Sequence, residues 1–184
     1  MKKIILIIAI ILLATACKTN KSEIYNVKNL KINRKCGEYV IALQDELSES
    51  NVYAIYKNTS YDDYEKKWTL DLRYTNLIEK HLTACPNDTL YLFEYQNVIA
   101  LNLENGNEKY TLEKKLIQTM DSNYGIGNIN SVLGYDKEYI YYDYYYTKKI
   151  DKFYGKIAFD LSDVQFITEK DNINYSNYFI SYCL

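Results

Sequence analysis

Proline is almost absent from this chain. One Pro and six Gly among 184 residues exclude collagen-like, mucin-like and linker-rich architectures, which depend on those two residues. Histidine occurs once, at position 81. A Ser–His or Cys–His pair therefore has a single candidate, and a His-based metal site has no second ligand. No G-x-S-x-G is present, and no Gly-rich loop is built to cradle phosphate. Neither sign of charge dominates, since 22 basic and 24 acidic residues leave a formal charge of -2. The chain thus lacks the electrostatic footprint of a nucleic-acid binder. No apolar run approaches the roughly 20 residues that a membrane-crossing helix needs.

What is present begins at the N-terminus. Lys2 and Lys3 precede a ten-residue apolar stretch, Ile4 to Leu13, followed by Ala14, Thr15, Ala16 and Cys17. A charged start, a short apolar centre and small residues are the pattern of a secretory signal. Small residues immediately before a Cys resemble the lipobox of bacterial lipoproteins, with Ala14 where that family usually has Leu. The resemblance implies cleavage after Ala16 and a diacylglyceryl group on Cys17. It places the chain in the bacterial cell envelope, on the outer membrane if the host has one, since no Asp follows the Cys. The lipid on Cys17 is then the membrane partner. The expected organisation is a signal peptide over 1–16, a lipidated N-terminus and polar tether over 17–30, and a single β-rich domain over 31–184.

Three further cysteines remain: Cys36, Cys85 and Cys183. An odd number permits at most one internal disulfide. Cys36 and Cys85 each adjoin turn residues, Gly37 and Pro86, just before an expected strand, and they are the favoured pair. Three buried thiols are the alternative. The spacing suits no zinc site, and no metal or cofactor is implied.

From residue 38 the dominant period is two, the signature of strands. Tyr39, Ile41 and Leu43 share one face. Val52 to Tyr56, Leu90 to Tyr95 and Val164 to Thr168 are apolar or β-branched runs. Trp68, Leu70, Leu72 and Tyr74 alternate with polar residues, as do Ile99, Leu101 and Leu103, and Ile157, Phe159 and Leu161. Tyr139 to Tyr146 and Tyr178 to Cys183 complete the set. Asn105-Gly106 between two runs signals a tight hairpin with positive φ at both residues. Short helices are expected over Asn76 to Ala84, capped by Thr75, and over Leu112 to Met120. The fold class is all-β, mainly an antiparallel meander forming a sandwich, a barrel or a blade-like array, with at most one or two short helices. Ala100-Leu101-Asn102-Leu103-Glu104-Asn105-Gly106, with Tyr110 after it, resembles the strand and turn of quinoprotein-type propeller blades. Ala158-Phe159-Asp160-Leu161 echoes it.

Candidate chemistry is sparse. Asp62, Asp63 and Glu65 gather in an expected loop, and paired carboxylates can serve as acid and base in glycoside cleavage. Asp121 to Gly125 resembles the start of a calcium loop but has Val132 where an EF-hand requires Glu. Twenty-two tyrosines are the main anomaly. On a strand over 139–146, Tyr139, Tyr141, Asp143 and Tyr145 share one face, while Ile140, Tyr142, Tyr144 and Tyr146 share the other. The face with Asp143 is expected to meet water or a partner, because an unpaired buried carboxylate is costly. A tyrosine platform for a protein or a glycan is one reading. A composition biased toward Tyr, Lys, Asn and Ile, together with the strand propensity of Tyr, is the other. The functional expectation is a non-catalytic binding or interaction module at the envelope. An immunity-type lipoprotein that blocks a toxin, and a carboxylate-dependent hydrolase, are the alternatives.

Overall fold

The computed structural model describes residues 22–46, 51–94, 97–112, 116–119 and 122–167. The signal segment, Cys17, Cys183 and the strand expected over Tyr178 to Cys183 lie outside them. Among the described residues the chain folds into three antiparallel sheets that follow one another in sequence. The first contains β1 (Ile24–Asn26), β2 (Lys31–Cys36), β3 (Tyr39–Glu46), β4 (Asn51–Asn58) and β5 (Asp63–Thr69), in the order β1-β5-β4-β3-β2. A 3₁₀ turn (Leu72–Tyr74) and a five-residue helix, α1 (Thr75–Glu79), lead to the second. That middle sheet is a meander of β6 (Thr83–Ala84), β7 (Thr89–Glu94), β8 (Asn97–Asn102) and β9 (Glu108–Leu112). The third is a meander of β10 (Gly127–Tyr135), β11 (Tyr139–Tyr146), β12 (Lys149–Ala158) and β13 (Val164–Ile167). The architecture is mainly all-β.

The middle sheet is covered on both faces. Leu90, Leu92, Leu101 and Leu103 pack with Tyr39, Ile41, Tyr53 and Ile55 of the first sheet. Tyr91, Phe93, Val98 and Ala100 pack with Ile140, Tyr142, Tyr144 and Ile157 of the third. A strand buried on both faces needs apolar residues at every position, which is why Leu90 to Phe93 runs without polar interruption. Each such side chain contributes roughly 1.5–3 kcal/mol through burial.

The first sheet is coiled. β1 and β2 lie at its opposite edges, about 19 Å apart if four strand spacings were laid flat. Five backbone steps join Asn26 to Lys31. They reach at most about 18 Å, and less here because Val27–Asn29 is a 3₁₀ turn. The edges must therefore approach one another. Register shifts at Ile32/Arg34, Leu43/Asp45 and Ile55/Tyr56 provide the bending. The coil encloses Val40, Ala42, Ala54 and Tyr56 beneath Tyr25, Leu30, Ile32 and Tyr64. Ala42 and Ala54 are directly paired where space is least. Tyr25 meets Tyr56 edge-on at 5.2 Å.

Polar and covalent ties reinforce the contact between the first and middle sheets. Cys36 and Cys85 form a disulfide with Cα atoms 5.4 Å apart. Arg34 donates from Nη1 to the Thr83 carbonyl. Trp68 donates from Nε1 to the Leu103 carbonyl at 2.8 Å. Glu104 accepts from the Tyr39 hydroxyl at 2.7 Å and pairs with Lys67 at 2.5 Å and Lys57 at 3.3 Å. Hydrogen bonds from Lys67 and then Tyr39 hold the Glu104 carboxyl down at about 2. The middle and third sheets are joined by the Tyr91 hydroxyl, which donates to the Phe159 carbonyl at 2.6 Å.

Several expectations need correction. The stretch read as a tether up to residue 30 already belongs to the fold from Ile24, where β1 pairs with β5. The alternation over Trp68 to Tyr74 is not one strand. β5 ends at Thr69, and Leu70 and Tyr74 are buried around a turn instead. The helix expected over Asn76 to Ala84 spans only Thr75–Glu79. Thr75 is not a cap; its hydroxyl donates to the Asn51 carbonyl, and Asp71 caps the preceding 3₁₀ turn. Of the helix expected over Leu112 to Met120, Leu112 closes β9 and Leu116 and Ile117 are core residues outside any helix, while residues 113–115 and 120 lie outside the described ones.

The β8–β9 hairpin is real, but its turn differs from the two-residue form. Asn102 and Asn107 flank a four-residue loop, with the Gly106 amide donating to the Asn102 carbonyl at 2.8 Å. Gly106 alone takes positive φ, at 73°. A Cβ there would lie 2.9 Å from Trp68 Cδ2. Backbone conformation and ring contact thus both require glycine. Gly106→Val is expected to cost about 2 kcal/mol or more, read as a lower melting temperature and a shifted emission of Trp68, the chain's only tryptophan. A melting temperature equal to wild type would refute the assignment.

Candidate functional site

The densest chemistry lies on β11, where the pleat divides the tyrosines as their sequence parity suggests. Ile140, Tyr142, Tyr144 and Tyr146 face the middle sheet and are buried. Their polar tips are satisfied locally. The Tyr142 hydroxyl donates to the Leu116 carbonyl at 2.7 Å, and the Tyr146 hydroxyl donates to the Gln118 carbonyl. Burial pushes the Tyr142 and Tyr144 phenols well above the ordinary range. Tyr144 stacks on Phe153 with centroids 5.6 Å apart. Across the strand pair, Gly155 stands opposite Tyr142. A Cβ at that glycine would come within 2.5 Å of the Tyr142 ring, so its lack of a side chain makes room for the aromatic.

Tyr139, Tyr141, Asp143 and Tyr145 share the outward face. The Tyr139 hydroxyl donates to Asp163 at 3.3 Å, and Lys156 Nζ sits 4.2 Å from the Tyr139 ring centroid. The Tyr141 hydroxyl donates to Asp136 at 2.6 Å. Both rings are half-buried, whereas Tyr145 is 40% exposed.

Asp143 corrects an expectation. It does not face water, being 2% exposed. Its carboxylate accepts from Asn130 Nδ2 at 3.0 and 3.3 Å and from Ser131 Oγ at 2.6 Å, with Lys152 Nζ at 3.6 Å. A register shift between Ile129 and Ser131 inserts Asn130 as an extra residue in β10. The bulge turns two consecutive side chains toward one carboxylate. A buried carboxylate is costly when unpaired, and this one is fully partnered.

Beside Asp143, at the end of the third sheet where β11 turns into β12, lies a cavity of about 500 Å³. Asn130, Asp143, Tyr145, Thr147, Lys148 and Lys152 contribute to its lining. Asn130, Thr147 and the lysines are not singled out by the sequence. Their only signal is a cluster of Lys around the short hairpin turn after the tyrosine run, and a bulge that the sequence pattern does not announce.

The other sequence candidates do not converge. Asp63 and Glu65 are on β5 rather than in a loop. Asp63 accepts from the Ser60 hydroxyl, and Glu65 pairs with Lys67 at 3.3 Å. His81 is an exposed residue with φ of 57° just after α1. Among the described residues no group of three His, Cys, Asp or Glu could hold a metal ion.

Truncation separates the two faces of β11. Tyr142→Ala or Tyr144→Ala is expected to cost about 3–5 kcal/mol, as for other buried aromatic deletions. Tyr145→Ala should stay within about 0.5 kcal/mol of wild type, as is usual for surface positions. Denaturant melts of the three variants measure this, and a damaging Tyr145→Ala with a harmless Tyr142→Ala would invert the faces.

No family model matches this chain, and neither a curated protein nor a solved structure matches it.

Proposed function

We propose that this chain is an envelope-anchored bacterial lipoprotein whose β-rich domain is a non-catalytic binding module. The reading of the anchor rests on Ala14-Thr15-Ala16-Cys17. The Cys36–Cys85 disulfide supports it, because such bonds persist in oxidising compartments outside the cytoplasm. Among the described residues no helix is long and apolar enough to cross a membrane. The blade-like resemblance belongs to the same proposal. Ala100 and Ala158 both lie on the third strand of a four-stranded meander and lead toward the turn before the fourth.

The binding reading rests on one observation: an exposed tyrosine ring beside a cavity floored by a held carboxylate. A scaffold of packed sheets presents this cleft at one end, the usual setting for a ligand site. Asp143 accepts from Asn130 and Ser131 and pairs with Lys152, so it holds three side chains in place at the cavity.

Two experiments test the two halves. Radiolabelled palmitate should enter the wild-type protein and not Cys17→Ala; equal labelling of both contradicts the anchor. For the binding face, a photo-activated benzophenone residue is placed at Tyr145 or, as a control, at Tyr110, which is 47% exposed on β9. Irradiation of intact cells should give an adduct at 145 and none at 110. No adduct at 145, or equal adducts at both, contradicts the face.

A further inference from the structure

We propose that the cavity beside Tyr145 binds an anionic saccharide, a sugar carrying a carboxylate or a phosphate. The proposal rests on the reading of the tyrosine face as a binding surface and adds the chemistry of the ligand.

The volume, about 500 Å³, falls within the range of small-molecule sites and accommodates one or two sugar rings. Three lysines line it, Lys148, Lys149 and Lys152, against the single carboxylate of Asp143. That carboxylate is 2% exposed and already accepts from Asn130 and Ser131, with Lys152 at 3.6 Å, so a ligand hydroxyl has little access to it. Lys149 is also engaged, pairing with Asp151 at 3.0 Å and lying over the Tyr124 and Phe153 rings. Thr147 Oγ1 accepts from the Ile126 amide at 3.1 Å, which leaves it one donor and one lone pair to offer.

Lys148 and Lys152 complete the offer. Lys152 has a side chain 64% exposed and directs one contact to Asp143. An ammonium carries three donors and no acceptor. What the cavity presents is therefore a surplus of positive donors around an exposed aromatic ring. A neutral sugar requires acceptors and donors in similar number. An acidic sugar matches a donor-rich rim, with its anionic group on the lysines and its ring on Tyr145. Asp143 acts as a positioning residue: it draws the Lys152 ammonium to the floor of the cavity and orients the Asn130 amide.

Calorimetry on the full-length protein in uncharged detergent micelles tests this with three matched probes: cellobiose, cellobiouronic acid and cellobiose 1-phosphate. The two anionic probes should bind at least tenfold more tightly than cellobiose. High salt should shrink that gap, because the lysines are solvent-accessible. Lys148→Met and Lys152→Met should each remove most of the gap without changing cellobiose, while Tyr145→Ala should weaken all three. The ratio between the two anionic probes tells whether carboxylate or phosphate is preferred. Equal binding of neutral and anionic probes overturns the anionic assignment and leaves the tyrosine-face reading intact if the adduct at 145 forms. Anionic binding unchanged in both lysine variants and in Tyr145→Ala overturns the site. No binding of any probe at millimolar concentration overturns the saccharide assignment, and the adduct at 145 then judges the face separately.

Discussion

Leu90, Tyr91, Leu92 and Phe93 leave β7 without a face turned to water. A strand of this kind cannot form a stable sheet alone, because either face left open would expose a row of large apolar groups. The middle sheet therefore exists only between the other two. Leucines on one side hold the first sheet, and aromatics on the other hold the third. The ties near it have the same geometry. The disulfide, the Arg34 and Trp68 hydrogen bonds and the Glu104 cluster all join the first sheet to the middle one. The outward face of β11 can carry polar chemistry because its inward face is fixed against Phe93 and its neighbours.

Tyrosine does two kinds of work here, and the difference is where the hydroxyl goes. Inside, Tyr91, Tyr142 and Tyr146 each reach a backbone carbonyl, so the ring contributes apolar area while the hydroxyl keeps a hydrogen-bond partner. Outside, Tyr139 and Tyr141 are tied to aspartates on neighbouring turns. A composition bias toward tyrosine and the proposed tyrosine face are therefore compatible. The bias fills the core, while Tyr145 beside the cavity carries the proposed function.

Much of this was legible in the sequence where local chemistry and burial agree. Period-two alternation placed β3, β8 and β11. Gly106 marked its hairpin, because the left-handed backbone selects glycine whatever the loop length. The parity of the 139–146 run divided core from surface. Legibility failed where burial is partial or the period breaks. β2 and β10 are edge strands: exposure alternates along Lys31–Cys36 but Arg34 takes an inward position, and most of Gly127–Tyr135 is half-buried, so neither shows apolar alternation in its sequence. Leu70 and Tyr74 fit a strand by parity and a turn by their spacing of four, and only packing against Leu77 and Ile78 decides between them. Asp143 was misplaced because its partners come from another strand through a bulge. The rule that a lone carboxylate avoids the interior holds, but this carboxylate is not alone.

Native-state hydrogen exchange tests the dependence of the fold on its middle sheet most directly. Amides of a segment that opens only with the whole molecule exchange last, with an opening free energy equal to that of global unfolding. The amides of Leu90, Leu92 and Phe93 should belong to that slowest class, with the β9 and β13 amides opening earlier by local fluctuation. Rapid exchange in β7 while β3, β4, β11 and β12 remain protected would contradict it, since the outer sheets would then be stable without the layer between them.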